Sequence, residues 1–248
     1  MVQHRRQCTR ISWLALGLGL SMCVAAARAH DFWIEPETFR PALGARVGLR
    51  ILVGGDFKGD AALFNPEQFE RYVALGPDGE QPVAGNLGDD PAGTIKVTGP
   101  GLYTVGYFSK KFDVSFDSFP KFKAYLEQEG LERHLKLAEF RAGAGGKINE
   151  IYSRCAKTLI AAPRAETDAA QRRIGCPLEL INETNPYQQN DLTLRLVYRD
   201  QPLEGALVIA FNKAEPLAKL KARTDRAGRV TFKLPRAGVW LVTSVHMI

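Results

Sequence analysis

The chain has 248 residues, of which 45% are hydrophobic, with 33 Lys and Arg against 27 Asp and Glu for a formal charge of +6. That length holds two small domains or one large β-sandwich, and the composition excludes collagen-like, coiled-coil and wholly disordered chains. The positive surplus must be assigned by segment before it argues for any partner.

Residues 1–29 read as a secretory signal peptide. Arg5, Arg6 and Arg10 form a basic start, Ile11 to Val24 is an apolar run broken by Gly17 and Gly19, and Ala27-Arg28-Ala29 is an A-x-A cleavage site. The run is shorter than the ~20 residues a spanning helix needs. We therefore expect cleavage after Ala29 and a periplasmic mature chain that does not span the membrane, with an uncleaved anchor as the competing reading. The segment carries four arginines (Arg28 is the last) and no acid, so its removal brings the chain close to neutral. No block of like charges survives, and nucleic-acid binding is not expected.

Residues 30–113 carry strand signals: Arg46 to Val53, Thr94 to Val97 and Gly101 to Phe108 alternate apolar and polar residues between Gly and Pro turns. The same character returns in residues 177–248, at Leu192 to Tyr198, Ala206 to Phe211, Arg229 to Leu234 and Gly238 to His246. The two segments resemble each other. Asp90-x-x-Gly93-x-Ile95-x-Val97 leads to Gly101-x-Tyr103-x-Val105, and Asp225-x-x-Gly228-x-Val230-x-Phe232 leads to Gly238-x-Trp240-x-Val242. Upstream, Leu49-Arg-Ile-Leu52 echoes Leu194-Arg-Leu-Val197. Such a turn takes an Asx-type bond from Asp and a positive φ at Gly. The repeat predicts a mostly β protein of two immunoglobulin-like or transthyretin-like sandwiches.

Residues 114–176 are expected to form a helical insert and linker. Asp117-Ser118 can cap a helix that Pro120 opens and whose face is Phe122, Tyr125 and Leu126. Gly130 interrupts it before Leu131 to Phe140. Ile148, Ile151, Tyr152, Cys155 and Leu159 fall at helical spacing and predict a second amphipathic helix with Cys155 on its buried side. Cys8 and Cys23 leave with the signal. In an oxidising compartment Cys155 and Cys176 are expected to pair, with two buried free thiols as the alternative.

Enzyme signatures are sparse: G-x-S-x-G, Walker A and H-E-x-x-H are all missing from the sequence. We expect a binding protein, not an enzyme. Cleavage makes His30 the first residue, so an α-amine and an imidazole are offered together, a chelate suited to Ni, Co, Cu or Zn. Trp33, Ile34 and Phe39 would dock that terminus. His246, near the end of the last strand, is either a rim histidine of the core or the second nitrogen ligand. His134 reads first as a boundary residue with Leu131, Leu135 and Ala138. Asp31 and Glu35 are candidate oxygen ligands, and His134 a further one.

The opening Ala29-His30-Asp-Phe-Trp33-Ile-Glu35-Pro36, with Phe39-Arg40-Pro41, resembles a periplasmic family of unknown function commonly described as the periplasmic component of cobalt or nickel uptake systems. Cys176-Pro-Leu-Glu179, Asn185-Pro186, Pro202-Leu-x-Gly205-Ala, Thr224-Asp225-x-x-Gly228 and Gly238-x-Trp240 through His246-Met247 are similar to its later blocks. The resemblance implies a β-rich protein that binds a transition metal at His30 and His246 and presents it to a membrane transporter. Relatives usually continue past the block holding His246, so the last sandwich is expected to be truncated. A cell-envelope interaction or carrier module without metal is the alternative, and an oxidative copper enzyme built on a histidine brace the weaker third.

Overall fold

The computed structural model describes residues 31–143, 146–165 and 170–248. The chain is mostly antiparallel β, with two helices in its middle. In the first half, β1 (Asp31–Pro36) pairs with β2 (Arg46–Gly55), which also takes β3 (Lys58–Ala62) and β6 (Thr94–Lys96). A second sheet runs in the order β10 (Cys155–Ala161), β7 (Leu102–Ser109), β4 (Phe69–Gly76), β5 (Gly79–Pro82). Val47, Leu49 and Ile51 recur at every second residue of β2, so one face of that strand is apolar. That face meets Tyr72, Ala74, Tyr103, Val105 and Ile160 of the second sheet in one buried cluster. Each fully buried aliphatic side chain there contributes about 1.5–3 kcal/mol.

The second half repeats this plan. β11 (Leu178–Asn182) pairs with β12 (Asp191–Tyr198), which takes β13 (Gln201–Pro202) and β16 (Arg229–Lys233). Facing them, β15 (Glu215–Arg223), β14 (Leu207–Asn212) and β17 (Trp240–Thr243) form a three-stranded sheet. Leu192, Leu194 and Leu196 of β12 meet Val208 and Ala210 of β14 in a second buried cluster.

The repeat read from the sequence has a structural counterpart. The Leu49 N–H donates to Gly93 O at 2.9 Å, and the Leu196 N–H donates to Gly228 O at 2.8 Å. Gly101 and Gly238 open the next strands with φ of 125° and 124°, a conformation only glycine adopts readily. The upstream echo is therefore shifted by two residues: Leu49 corresponds to Leu196, not to Leu194. The turns also differ. Asp225 Oδ1 accepts from the N–H groups of Ala227 and Arg229, as an Asx turn requires, whereas the Asp90 carboxylate accepts from Arg50.

The expected helix across Ile148–Leu159 is a correction. β9 (Ile148–Tyr152) pairs with β8 (Phe112–Phe116), and β10 begins at Cys155. The apolar residues fit a helical spacing better than a strand one, yet long-range pairing with β8 and β7 decides for the strand and leaves Ile151 73% exposed. The first expected helix forms as α1 (Phe119–Gln128), with Ser118 at its N-cap position and Asp117 in an ion pair with Lys121 at 3.3 Å. A 3-10 turn at Glu132–His134 leads into α2 (Leu135–Ala142).

The halves are tied where β10 meets β11. Cys155 and Cys176 form a disulfide with their Cα atoms 6.2 Å apart. Beside it the Glu179 side chain is fully buried and accepts from Lys157 Nζ at 2.9 Å and from the N–H groups of Ile174 and Gly175 at 2.7 and 3.1 Å. Burial lowers the Lys157 pKa and the Glu179 charge opposes that shift. Removing one partner of such a pair strands the other charge in the interior. Glu179→Leu is expected to lower unfolding stability by about 3–5 kcal/mol in urea denaturation, at unchanged disulfide content.

Candidate functional site

A cleft of about 2690 Å³ lies between the two halves and the helices, and its walls include Asp31, Glu129, His134, Tyr198, Trp240 and His246. Two of the candidate ligands meet there. Arg133 Nε donates to His134 Nε2 at 3.0 Å, and Arg133 Nη2 lies 3.2 Å from His246 Nδ1. One guanidinium thus spans two imidazoles. The His246 ring also packs on Tyr198, with centroids 4.5 Å apart.

Local chain geometry brings these groups together. The 3-10 turn ends at His134, whose N–H donates to Leu131 O at 2.9 Å. β17 stops at Thr243, so His246 lies beyond the strand rather than at its expected in-line position. The chain is turned there by Ser244, whose hydroxyl donates to Leu207 O at 2.8 Å, while Val245 and Met247 pack against the helical cluster of Phe122, Leu126 and Leu131. Both histidines titrate below their ordinary value. For His246 the causes are burial, then the Arg133 charge, then His134; for His134 they are burial and Arg133, against a backbone bond to Met247. Both rings are neutral at neutral pH, the protonation state that leaves a nitrogen lone pair for a hydrogen-bond donor or a metal ion.

A second group borders the same cleft. Glu129, just past α1, is 7% exposed, and burial with the nearby Asp31 charge pushes its carboxyl up to about 7. Lys219 and Lys221 act in the opposite direction. Tyr125 donates to Glu150 Oε1 at 3.5 Å, and burial raises both of those pKa values as well. Asp31 is half-buried at the start of β1, opposite Gly54. Glu35 is elsewhere: it accepts from Lys213 Nζ at 2.7 Å and from Trp33 Nε1 at 3.4 Å, so it joins β1 to the β14–β15 hairpin. His30 lies outside the described residues. Among the described residues no three His, Cys, Asp or Glu side chains are placed to hold a metal ion.

The sequence passed over Arg133 and Glu129. Arg133 adjoins His134 but no spacing pattern marks it, and Glu129 looks like an ordinary solvated helix end. The packing of Leu207 against Gly130, where a Cβ would come within 2.7 Å, and the bond from Arg223 to Gly130 O at 3.3 Å show that this turn is pressed against β14 and β15.

Glu129 gives a testable pH dependence. A carboxyl whose folded pKa is raised contributes stability that is present at acid pH and lost as pH rises from its unfolded value through its folded one. Wild-type stability should therefore carry a falling component of about 3 kcal/mol between about pH 4.5 and pH 7. Glu129→Gln should remove it, as read from urea midpoints across that range.

No curated protein matches the chain. Among solved structures, a DUF4785 family protein from Legionella pneumophila subsp. pneumophila str. Philadelphia 1 is similar at 10% identity with a TM-score of 0.27. That alignment covers 86% of this chain and 47% of the other, so the chain spans about half its length. Residues 27–248 match the family described as a domain of unknown function, DUF4198. With nearly the whole of it matched from the start of β1 to the residues beyond β17, the chain belongs to the DUF4198 family.

Proposed function

We propose that the mature chain is a periplasmic binding protein for Ni²⁺ or Co²⁺, accessory to a membrane metal transporter and built from two immunoglobulin-like sandwiches. The observation that carries this reading is the convergence on one cleft of Asp31, the residue that follows His30, with the neutral imidazoles of His134 and His246. Cleavage after Ala29 frees an α-amine on His30, and its amine and imidazole nitrogens form a bidentate donor set. A late first-row ion needs more ligands than that. His246 would supply a third nitrogen after exchanging its contact with Arg133 for the ion, with His134 beside it and the Asp31 carboxylate as an oxygen donor.

Charge favours the same arrangement. Asp31 and Glu129 place acid against one wall of the cleft, and Glu129 titrates near neutrality. Loading a cation there would favour its ionised form, so metal uptake should release a proton from Glu129 as well as from the amine and imidazoles. Arg133 opposes the ion. Its contact with both rings puts a cation of the protein's own in the cleft, which would have to move aside on loading. Cu²⁺ and Zn²⁺ suit the same nitrogen donors and would compete. The disulfide is in keeping with an oxidising compartment.

Calorimetric titration of Ni²⁺ into mature protein that begins at His30 should show one saturable site, with affinity falling as pH drops through the amine and imidazole pKa values. Adding one Ala before His30, or changing His246→Ala, should each weaken binding on the order of tenfold or more. Equal affinity in all three proteins would overturn this reading.

A further inference from the structure

The first half holds a second cavity, of about 250 Å³, between its two sheets. Its wall runs from Phe32 to Arg154, and among the described residues none of the second half borders it. Aromatic rings dominate the wall. Tyr72 of β4 and Tyr107 of β7 are direct cross-strand partners, so their rings meet edge to face with centroids 5.3 Å apart. Phe69 packs edge-on against both, at 5.7 and 5.6 Å, and Phe32 of β1 reaches across to Tyr107 at 5.2 Å.

Two polar groups in this wall are left over. Tyr72 is 3% exposed, and among the described residues its hydroxyl has no hydrogen-bond partner. Burial, with Tyr107 beside it, raises its pKa, so it stays a protonated donor. Arg154 stands in the link between β9 and β10. Its N–H donates to Ser109 Oγ at 2.7 Å, and its C=O accepts from the Ser109 N–H at 2.9 Å. Its guanidinium lies over the Phe32 ring at 5.3 Å and over the Tyr152 ring at 5.2 Å, and no carboxylate among the described residues pairs with it. The charge is felt inside the cavity: burial pushes Tyr107 up to about 12, and Arg154 acts in the opposite direction. Phe32, Val53, Tyr152 and Arg154 border both this cavity and the large cleft, so Arg154 is the charged part of the partition between them.

We propose that this cavity binds a small aromatic carboxylate, its ring among Phe32, Phe69 and Tyr107, its carboxylate on Arg154 and an oxygen substituent on the Tyr72 hydroxyl. Charge and shape select that class. Aromatic faces attract cations, but here Arg154 already occupies the faces of Phe32 and Tyr152, so the complementary ligand is an anion. A planar guanidinium takes a carboxylate through two parallel N–H···O bonds. Rings set edge to face favour a further ring over an aliphatic chain. Benzene fills an apolar cavity of about 150 Å³. The larger volume here holds one ring with its substituents. A buried hydroxyl without a partner is a donor awaiting an acceptor, which an oxygen on the ligand supplies. Entry is from the cleft, past Arg154. The site shares no residue with His30, His134 or His246 and involves no metal.

The test titrates mature protein with para-hydroxybenzoate, benzoate, cyclohexanecarboxylate and para-hydroxybenzylamine, the cationic counterpart of the first. Affinity is read by calorimetry and location by amide NMR shifts at Tyr72, Tyr107 and Arg154. Both aromatic acids are expected to bind saturably and to move those signals, the cyclohexane acid to bind more weakly, and the amine not to bind. Arg154→Gln keeps the main-chain bonds to Ser109 and is expected to weaken both aromatic acids on the order of tenfold. Tyr72→Phe keeps the ring and is expected to weaken para-hydroxybenzoate about threefold or more while leaving benzoate unchanged. Four results would overturn the proposal: no saturable binding of either aromatic acid at millimolar concentration, equal affinity for the amine, equal affinity for the cyclohexane acid, or acid binding that both variants leave unchanged.

Discussion

Glu179 enters the interior from β11 with none of its side chain exposed, and its carboxylate is shared among the Lys157 ammonium and two backbone N–H groups. Lys157 stands on β10, so this carboxylate bonds the last strand of the first half to the first strand of the second. Lys157 spends its remaining donors on Arg172 O and Leu180 O, and every polar group of the junction has a partner. The disulfide beside it removes the freedom to separate. Ion pairs between Lys213 and Glu35 and between Lys219 and Asp56 join the halves at the other side. The walls of the cleft are thereby joined by buried and charged contacts.

A large cleft lies between halves that each have their own apolar cluster. A cleft between loosely linked halves would collapse or flex, because apolar residues such as Trp240 and Leu180 gain by burial. Here the junction keeps them half-exposed. The same junction lets groups from four distant stretches of sequence, Asp31, Glu129 to His134, Tyr198 and His246, face a common space. Their pKa values move accordingly, the histidines down and Glu129 up.

Much of the architecture is legible in the sequence where periodicity is unambiguous. Leu49 and Ile51, Leu194 and Leu196, and the Gly-x-aromatic-x-Val segments at Gly101 and Gly238 have one sensible arrangement, and the strands form there. The disulfide followed from counting cysteines after a cleavage site. At Ile148–Leu159 the same rule misleads, because its apolar residues fall at helical spacing while the partners that decide for strands, β8 and β7, lie far away in sequence. The site was less legible. His246 could be singled out as a histidine, but its neighbours Arg133 and Tyr198 come from elements that no local pattern connects to it. Glu35, chosen for proximity to His30 along the chain, shares a strand face with Asp31 but stands four residues further along β1, where it meets Lys213.

The family carries no assigned role, so the chemistry of the cleft bears the weight of the functional reading. Under the proposed reading, the residue before Asp31 becomes the amino terminus, and Arg133 would have to leave His246 for an ion to bind there. The most direct measurement is a crystal structure of nickel-soaked mature protein with anomalous diffraction collected at the nickel edge. A single strong peak in the cleft, with His30 amine and imidazole nitrogens and a His246 nitrogen at about 2.1 Å, is the expected result. Nickel only at surface carboxylates, with the Arg133–His246 contact intact, would contradict it.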